Sequence, residues 1–454
     1  MFEKNTNLKY EILATMVLVI TTWIFFFHGG HSSLFLLVAV LLWLYMAINI
    51  WANDIPNNIW PAVWSGAINI KWAIILAAWF EAFWAVLAWW GNINTISKWI
   101  INPALITDPS QFIAIMIATL TWAAIWLNVA TYFKAPVSPT QSIIWWLLWA
   151  WMTGVWLKLI NWALISKIMI FWIIAPFAGW IIAALILLSI RHNIFKKEDR
   201  WDAAKIWVPI YIWLMTWLFS SYIILKWLHN FLYESHYDVF LRLPIAIFIW
   251  YVLWIITFVC LRVYYKKQSS IFKNSKKFTN KLFNVPLIFA IALLSFAHWA
   301  NDVANAVWPI SAINNTINHF ASTWTDIKIE TWIMLVWSMW LILWVTIFWS
   351  RLVKTVWNEI TKLNQIRAFS VALSAATTAI IASTLWIPVS LTHITLWAVF
   401  WVWLVRQQIK KMKWENKKYI DSSIVKDIAL AWIITIPISA IISWLAYLLI
   451  MQLT

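Results

Sequence analysis

Apolar stretches alternate with short polar connectors along nearly the whole chain, and the length of the stretches decides what they are. A helix needs roughly 20 predominantly apolar residues to cross the hydrocarbon core of a bilayer. Runs of that order fall at 11–27, 33–50, 72–90, 112–133, 168–190, 207–228, 239–262, 286–312, 329–350, 370–386 and 424–452. Two shorter runs, 142–157 and 388–405, predict either full spans or re-entrant segments. The expected fold is an all-α polytopic membrane protein with about 10–13 membrane segments, some broken or re-entrant. The first run follows Lys4 and Lys9. No small-residue cleavage site comes after it, so a retained helix is expected rather than a signal peptide.

Composition agrees. Hydrophobic residues make up 64% of the chain and charged residues 11%, against about a quarter charged in a soluble domain; mean hydropathy is +0.78. The formal net charge of +16 invites a nucleic-acid reading, which the placement of the charges removes. Arg191, Lys196, Lys197, Arg200 and Lys205 fall in one connector, Lys266, Lys267, Lys273, Lys276, Lys277 and Lys281 in a second, and Arg406, Lys410, Lys411, Lys413, Lys417 and Lys418 in a third. Short loops rich in Lys and Arg stay on the cytoplasmic side of a membrane. The connector at 229–238 carries only the acids Glu234 and Asp238 beside its histidines, His229 and His236. Alternating sides from these anchors puts the N-terminus inside a multi-pass protein of the cytoplasmic (inner) membrane. The lone Cys260 excludes an intramolecular disulfide.

Three segments recur in order. WANDIPNNIWPAVWSGAI at Trp51 returns as WANDVANAVWPISAI at Trp299. APVSPTQSI, with Pro136, Val137, Ser138 and Thr140, returns as IPVSLTHIT, with Pro388, Val389, Ser390 and Thr392. FWIIAPFAGWIIA around Trp172 returns as AWIITIPISAIIS around Trp432. Two related halves follow, and the crossing count between Trp51 and Trp299 is odd, which makes them inverted copies with a site near the midplane. The expected division is an N-terminal helix at 1–32, a first repeat at 33–190, central helices with basic connectors at 191–284 and a second repeat at 285–454.

Tryptophan stands where glycine is expected. The chain has 44 Trp and 6 Gly, where average usage gives roughly 30 Gly. Trp51, Trp60 and Trp64 flank a polar run at which a spanning helix is expected to open, and Trp299 and Trp308 repeat the arrangement. Such places call for close backbone approach or positive φ, which glycine supplies. The expectation is that most of these tryptophans are glycine codons read under the wrong genetic code, a reassigned stop codon being the cause. Interfacial aromatic belts are the alternative, but pairs such as Trp89-Trp90 and Trp145-Trp146 lie within the spans.

Candidate chemistry is concentrated in the repeats. Asp54 and Asp302 lie in apolar spans, where an ionised carboxylate costs at least about 2.5 kcal/mol unless paired or hydrated. Asn53, Asn57 and Asn58 flank one, Asn301 and Asn305 the other. Carboxylate with carboxamide oxygen suits a hard cation such as Na⁺, or a proton relay; capping of broken helices is the bland alternative. Ser138, Thr140, Ser390 and Thr392 follow a proline at what reads as a helix N-terminus, where free N–H groups and the positive dipole end attract anions. They could instead only cap or pack between helices. Glu81 is a third intramembrane acid, either a cation ligand or a partner across helices. His298 reads as a packing donor rather than a proton shuttle. No phosphate-binding P-loop or Cys/His metal cluster occurs.

With those tryptophans read as glycine, the first pair becomes GANDIPNNIGPAVGSGAI and GANDVANAVGPISAI. This resembles the PiT family of inorganic phosphate transporters, whose hallmark GAND-V-ANA-x-GP occurs once in each half; the second pair resembles the family's PVSTTH element and the third its W-x-x-x-P helix. The resemblance covers 45–190 and 285–450. It implies a secondary active transporter, not an enzyme, importing phosphate with Na⁺ or H⁺ by alternating access. The substrate-binding set is then Ser138, Thr140, Ser390, Thr392, Asn57 and Asn305. The cation-coupling set is Asn53, Asp54, Glu81, Asn301 and Asp302, with Asp54 and Asp302 as Na⁺ ligands. Partners are phosphate, the coupling cation and the lipid bilayer, with room for a homodimer; no cofactor and no nucleic acid are implied. The chain departs from the family at Pro139 and Leu391, and Gln141 stands where the second copy has His393. Sulfate therefore stays open as substrate. A lipid-phosphate enzyme or a channel would explain buried acids but not their duplication.

Overall fold

The computed structural model describes residues 31–87, 108–133, 137–155, 160–223, 239–268, 275–299, 301, 304–318, 329–340, 363–385, 387–411, 430, 434–445 and 448. The first apolar run, Pro136, Asp302, Trp432 and the acidic connector lie outside them. In chain order the helices are α1 His31–Trp64, α2 Ile70–Leu87, α3 Pro109–Tyr132, α4 Pro139–Val155, α5 Trp162–Ile190, α6 Arg200–Ile223, α7 Val239–Gln268, α8 Lys276–Lys281, α9 Asn284–His298, α10 Ala304–Asn318, α11 Thr331–Trp340, α12 Gln365–Thr384, α13 Leu391–Lys411 and α14 Ile434–Leu445. Six stretches among the described residues are long and apolar enough to cross a membrane, and several shorter apolar helices accompany them.

Local chemistry starts these helices. Asp108, Asn161 and Asn364 accept the backbone N–H of Ser110, Leu164 and Arg367 at 2.9, 3.1 and 3.2 Å and so cap α3, α5 and α12. Helix α5 continues into a π-type turn, Arg191–Phe195, before α6. Its outward side exposes Ile170, Ile173, Ile174, Ile181 and Leu185, as a lipid-facing surface does. Its inward side carries Gly179, where a Cβ would sit 2.6 Å from Ile394 Cγ2, so α5 meets α13 at a separation only glycine allows.

Packing interleaves the halves. Helix α1 packs against α2 and α3 of its own half and against α9, α10 and α12 of the other. Helix α5, which carries the first copy of the third motif, lies against α12 and α13 of the second half. In return, Ser443 on α14, the last residue of the second copy of that motif, donates to the Trp146 carbonyl on α4 at 3.2 Å. Each hydroxyl-turn helix is thus backed by the other half.

Two expectations about the hallmark are corrected. In the first half the helix does not open: α1 runs from His31 to Trp64 with Pro56 and Pro61 inside it. Each proline removes one backbone donor from the ladder, yet the asparagines and Asp54 find partners on other helices and the backbone need not unwind to satisfy them. In the second half α9 ends at His298 and α10 begins at Ala304, with Trp299 and Asn301 in a π-type turn between them and residues 300, 302 and 303 outside the described residues. The second correction concerns φ. Trp51 and Trp60 lie inside α1 and Trp308 inside α10, Trp299 has φ −55°, and the positive-φ glycine is Gly66, at 74°. What these positions demand is close packing. All four tryptophans are buried, and the indole N–H groups of Trp51, Trp299 and Trp308 meet no acceptor. A buried donor left unmade costs about 1–3 kcal/mol. Trp172, by contrast, donates to the Pro388 carbonyl at 3.1 Å.

Candidate functional site

The two hydroxyl turns sit at the start of α4 and α13. The Ser138 hydroxyl oxygen accepts the Gln141 N–H at 3.1 Å, and the Ser390 oxygen accepts the His393 N–H at 3.2 Å. Both serines are therefore N-caps, as the bland reading held. A hydroxyl that accepts at its oxygen still carries one O–H to donate, so capping and anion binding are compatible. The turns meet: Thr140 donates to the Val389 carbonyl, next to Ser390, at 3.3 Å. Ser138, Thr140, Ser390 and Thr392 are all at most 3% exposed, so hydroxyls of both halves share one dry region.

Asp54 lies beside this region, 1% exposed on α1. Thr392 donates to its Oδ1 at 2.9 Å and Asn53 Nδ2 at 3.0 Å. Asn57 Nδ2 donates to Thr392 Oγ1 at 2.8 Å, which fixes the threonine rotor toward the carboxylate. On the other oxygen, His298 Nε2 lies 3.3 Å from Asp54 Oδ2, while its Nδ1 lies 3.0 Å from Glu81 Oε1. Asn58 Nδ2 completes the group at 3.4 Å from Glu81 Oε1. A doubly protonated ring donates to both carboxylates; a neutral ring donates to one and can only accept a hydrogen bond from the other, which must then be protonated. The carboxamide oxygens of Asn57 and Asn58 are buried with no partner among the described residues, which leaves two hard acceptors beside two carboxylates.

The site thus gathers Asn53, Asp54, Asn57, Glu81, Ser138, Thr140, Asn301, Ser390 and Thr392. Asp302 lies outside the described residues. Asn305 belongs to α10, but its side chain is likewise outside them.

A family model described as the phosphate transporter family matches residues 50–443. The chain belongs to the phosphate transporter family. A "Putative phosphate permease" of Helicobacter pylori strain J99 is 39% identical over 88% of this chain and 74% of its own. One from Pyrococcus abyssi is 32% identical over 90% of this chain and 96% of its own. The solved structure "The sodium-dependent phosphate transporter" superposes with a TM-score of 0.81, covering 92% of this chain and all of its own at 23% identity, and so shares the fold. The chain is a multi-pass membrane transporter and not an enzyme.

His298 joins the cluster beyond the residues that sequence reading assigned to it. Expected as a packing donor, it packs across helices by bridging two carboxylates contributed by the other half. A signal was available: it is a histidine in an apolar span directly before the hallmark, where the first copy has Ile50. The valine carbonyls of the turns were also missed, because backbone atoms carry no letter.

Proposed function

We propose that this chain is a secondary active transporter that imports inorganic phosphate together with Na⁺ or H⁺. It alternates access around a midplane site between inverted repeats, in the cytoplasmic membrane and with its N-terminus inside. The observation that carries the reading is the meeting of the two serine-capped turns, one from each half, beside Asp54. Two O–H donors and two helix N-termini suit an oxyanion without any arginine. The buried carboxylates and the unpartnered oxygens of Asn57 and Asn58 suit a cation a few residues away. Charge pairing between the two passengers lowers the cost of each in a low-dielectric site, which is a physical basis for coupling. The relatives named as phosphate permeases favour phosphate over sulfate, and the sodium dependence named for the structural neighbour makes Na⁺ the first cation to test. The deciding experiment is uptake of labelled phosphate and labelled sulfate into proteoliposomes under separate Na⁺ and pH gradients. Uphill phosphate uptake driven by one gradient is expected. Uptake that equilibrates without coupling, or that prefers sulfate, would overturn the reading.

A further inference from the structure

The hallmark asparagines Asn53 and Asn301 stand next to the aspartates, and residue type alone assigns them to the cation. Asn53 does donate to Asp54 Oδ1, yet both asparagines also make bonds that run to the turns. Asn301 Nδ2 donates to the Val389 carbonyl at 2.5 Å, and the Val389 N–H donates back to Asn301 Oδ1 at 3.2 Å. That two-bond ring is how a strand holds its neighbour, here made by one side chain on the four-residue segment 387–390 that precedes α13. Asn53 Nδ2 donates to the Val137 carbonyl at 2.6 Å. Val137 directly precedes Ser138 and Val389 directly precedes Ser390. Each half therefore repeats one device, in which the hallmark asparagine grips the backbone immediately before the serine that caps the turn.

The grip has a physical purpose. A non-helical segment buried in apolar surroundings must have its backbone groups satisfied by something. Val137 and Val389 are 1% and 0% exposed, so water cannot serve them. The Val389 carbonyl also takes Thr140 from the opposite half, which makes it the point where both halves are tied together. If the valine moves, the serine hydroxyl and the first N–H groups of the helix move with it. An oxyanion that needs donors from both turns would then lose their convergence.

We infer that Asn53 and Asn301 are positioning residues for the anion: each acts through the valine backbone it holds, and neither is a cation ligand. The inference rests on the reading of the serine turns as the phosphate site. Exchange of asparagine for aspartate separates the two roles, because it keeps size and shape while replacing an N–H donor with a negative oxygen. A cation ligand would tolerate or profit from that exchange. A residue gripping a carbonyl would instead set two oxygens against each other.

The test is phosphate uptake by proteoliposomes containing Asn301→Asp or Asn53→Asp, measured against phosphate at saturating cation and against cation at saturating phosphate. The expected result is a phosphate half-saturation raised roughly tenfold, equivalent to about 1.4 kcal/mol, with the cation half-saturation kept within about twofold. An unchanged phosphate half-saturation with a shifted cation dependence would overturn the inference. Asn301→Ala and Asn53→Ala, which bury no charge, carry the same test should an aspartate variant fail to fold: phosphate half-saturation up and cation dependence kept, or the inference falls. Absence of coupled phosphate uptake in the parental protein would instead sink the transport reading itself, so the two failures are distinguishable.

Discussion

The hydroxyl turns and the carboxylate cluster adjoin each other, yet one is symmetric and the other is not. At the turns both halves supply the same parts in matching geometry: a capping serine, a valine carbonyl and an asparagine that holds it. Around Asp54 the aspartate and Asn57 are repeated in the sequence as Asp302 and Asn305, but two of their neighbours are not. Where the cluster has His298 and Asn58, the other copies of the hallmark have Ile50 and Ala306. Duplication preserved the donors that an anion at a shared axis would use twice. The groups around the acid diverged instead: a coupling charge on one side of that axis needs its proton or cation partners only there.

The strongest challenge to this comparison is the chain's own tryptophans. Closely apposed helices at Trp51, Trp60, Trp299 and Trp308 should be overpacked, at about 1–3 kcal/mol per position, and the indole N–H groups of Trp51, Trp299 and Trp308, with no acceptor among the described residues, add to the cost. The all-Trp polypeptide is expected to be misfolded or inactive, and the chain with glycine at the family's glycine positions to be monodisperse and transport-competent. Size-exclusion profiles and uptake of both forms check this. Standard Trp codons throughout the gene, or an active all-Trp protein, would end the decoding idea.

Next in size, Asp54→Asn should abolish coupled uptake while leaving folded yield nearly intact. The exchange keeps the size and shape of the side chain and removes the charge that a coupling cation would pair with. Asp302→Asn is expected to do the same; uptake at the parental rate in either variant would remove that residue from the coupling set.

A smaller effect probes the symmetric region. Ser138→Ala and Ser390→Ala should each raise the phosphate half-saturation by roughly tenfold, the loss of one hydrogen bond to a charged group of about 1.5 kcal/mol. Because both hydroxyls face one anion, the double variant should depart from the sum of the singles. Strict additivity would mean that the turns do not share a ligand.

The smallest effect lies at the rim. Helix α3 is capped by Asp108 and its counterpart α12 by Asn364, so one half carries a titratable cap and the other does not. The Ser110 hydroxyl, 2.5 Å from Asp108 Oδ1, holds that carboxyl below the usual carboxylate range, and the backbone N–H groups of Ser110 and Gln111 add to the effect. A carboxyl with a depressed folded pKa contributes stability above its unfolded pKa and loses it as pH falls through the folded value. Asp108→Ala should therefore cost about 1 kcal/mol at neutral pH and nothing in acid. Thermal melts across the acid range check the sign, and a cost that grew on acidification would contradict it.

Much of the site was legible because its signals are local or repeated. The hallmark pairs named Asp54, Asn53, Asn57 and Asn301, and the proline-hydroxyl turns named Ser138 and Ser390. The opening of α1 was misjudged because a polar run reads as a break until tertiary partners are known to satisfy it. The grip of Asn53 and Asn301 on the valine backbone was not legible, because an amide beside an acid looks the same whether its oxygen meets a cation or its N–H meets a carbonyl.

Sequence alone determined the solvent, since runs of apolar residues leave no other way to bury backbone and side chains, and it determined the duplication, since order and spacing survive in the letters. Only the tertiary structure decided that His298 joins Glu81 to Asp54, that Asn57 reaches Thr392, and that each half backs the other's turn. Those pairs lie more than 200 residues apart, so no local periodicity encodes them. They exist because the packing of α1, α2, α9 and α13 brings buried polar groups within reach of one another, where an unpaired partner would be costly.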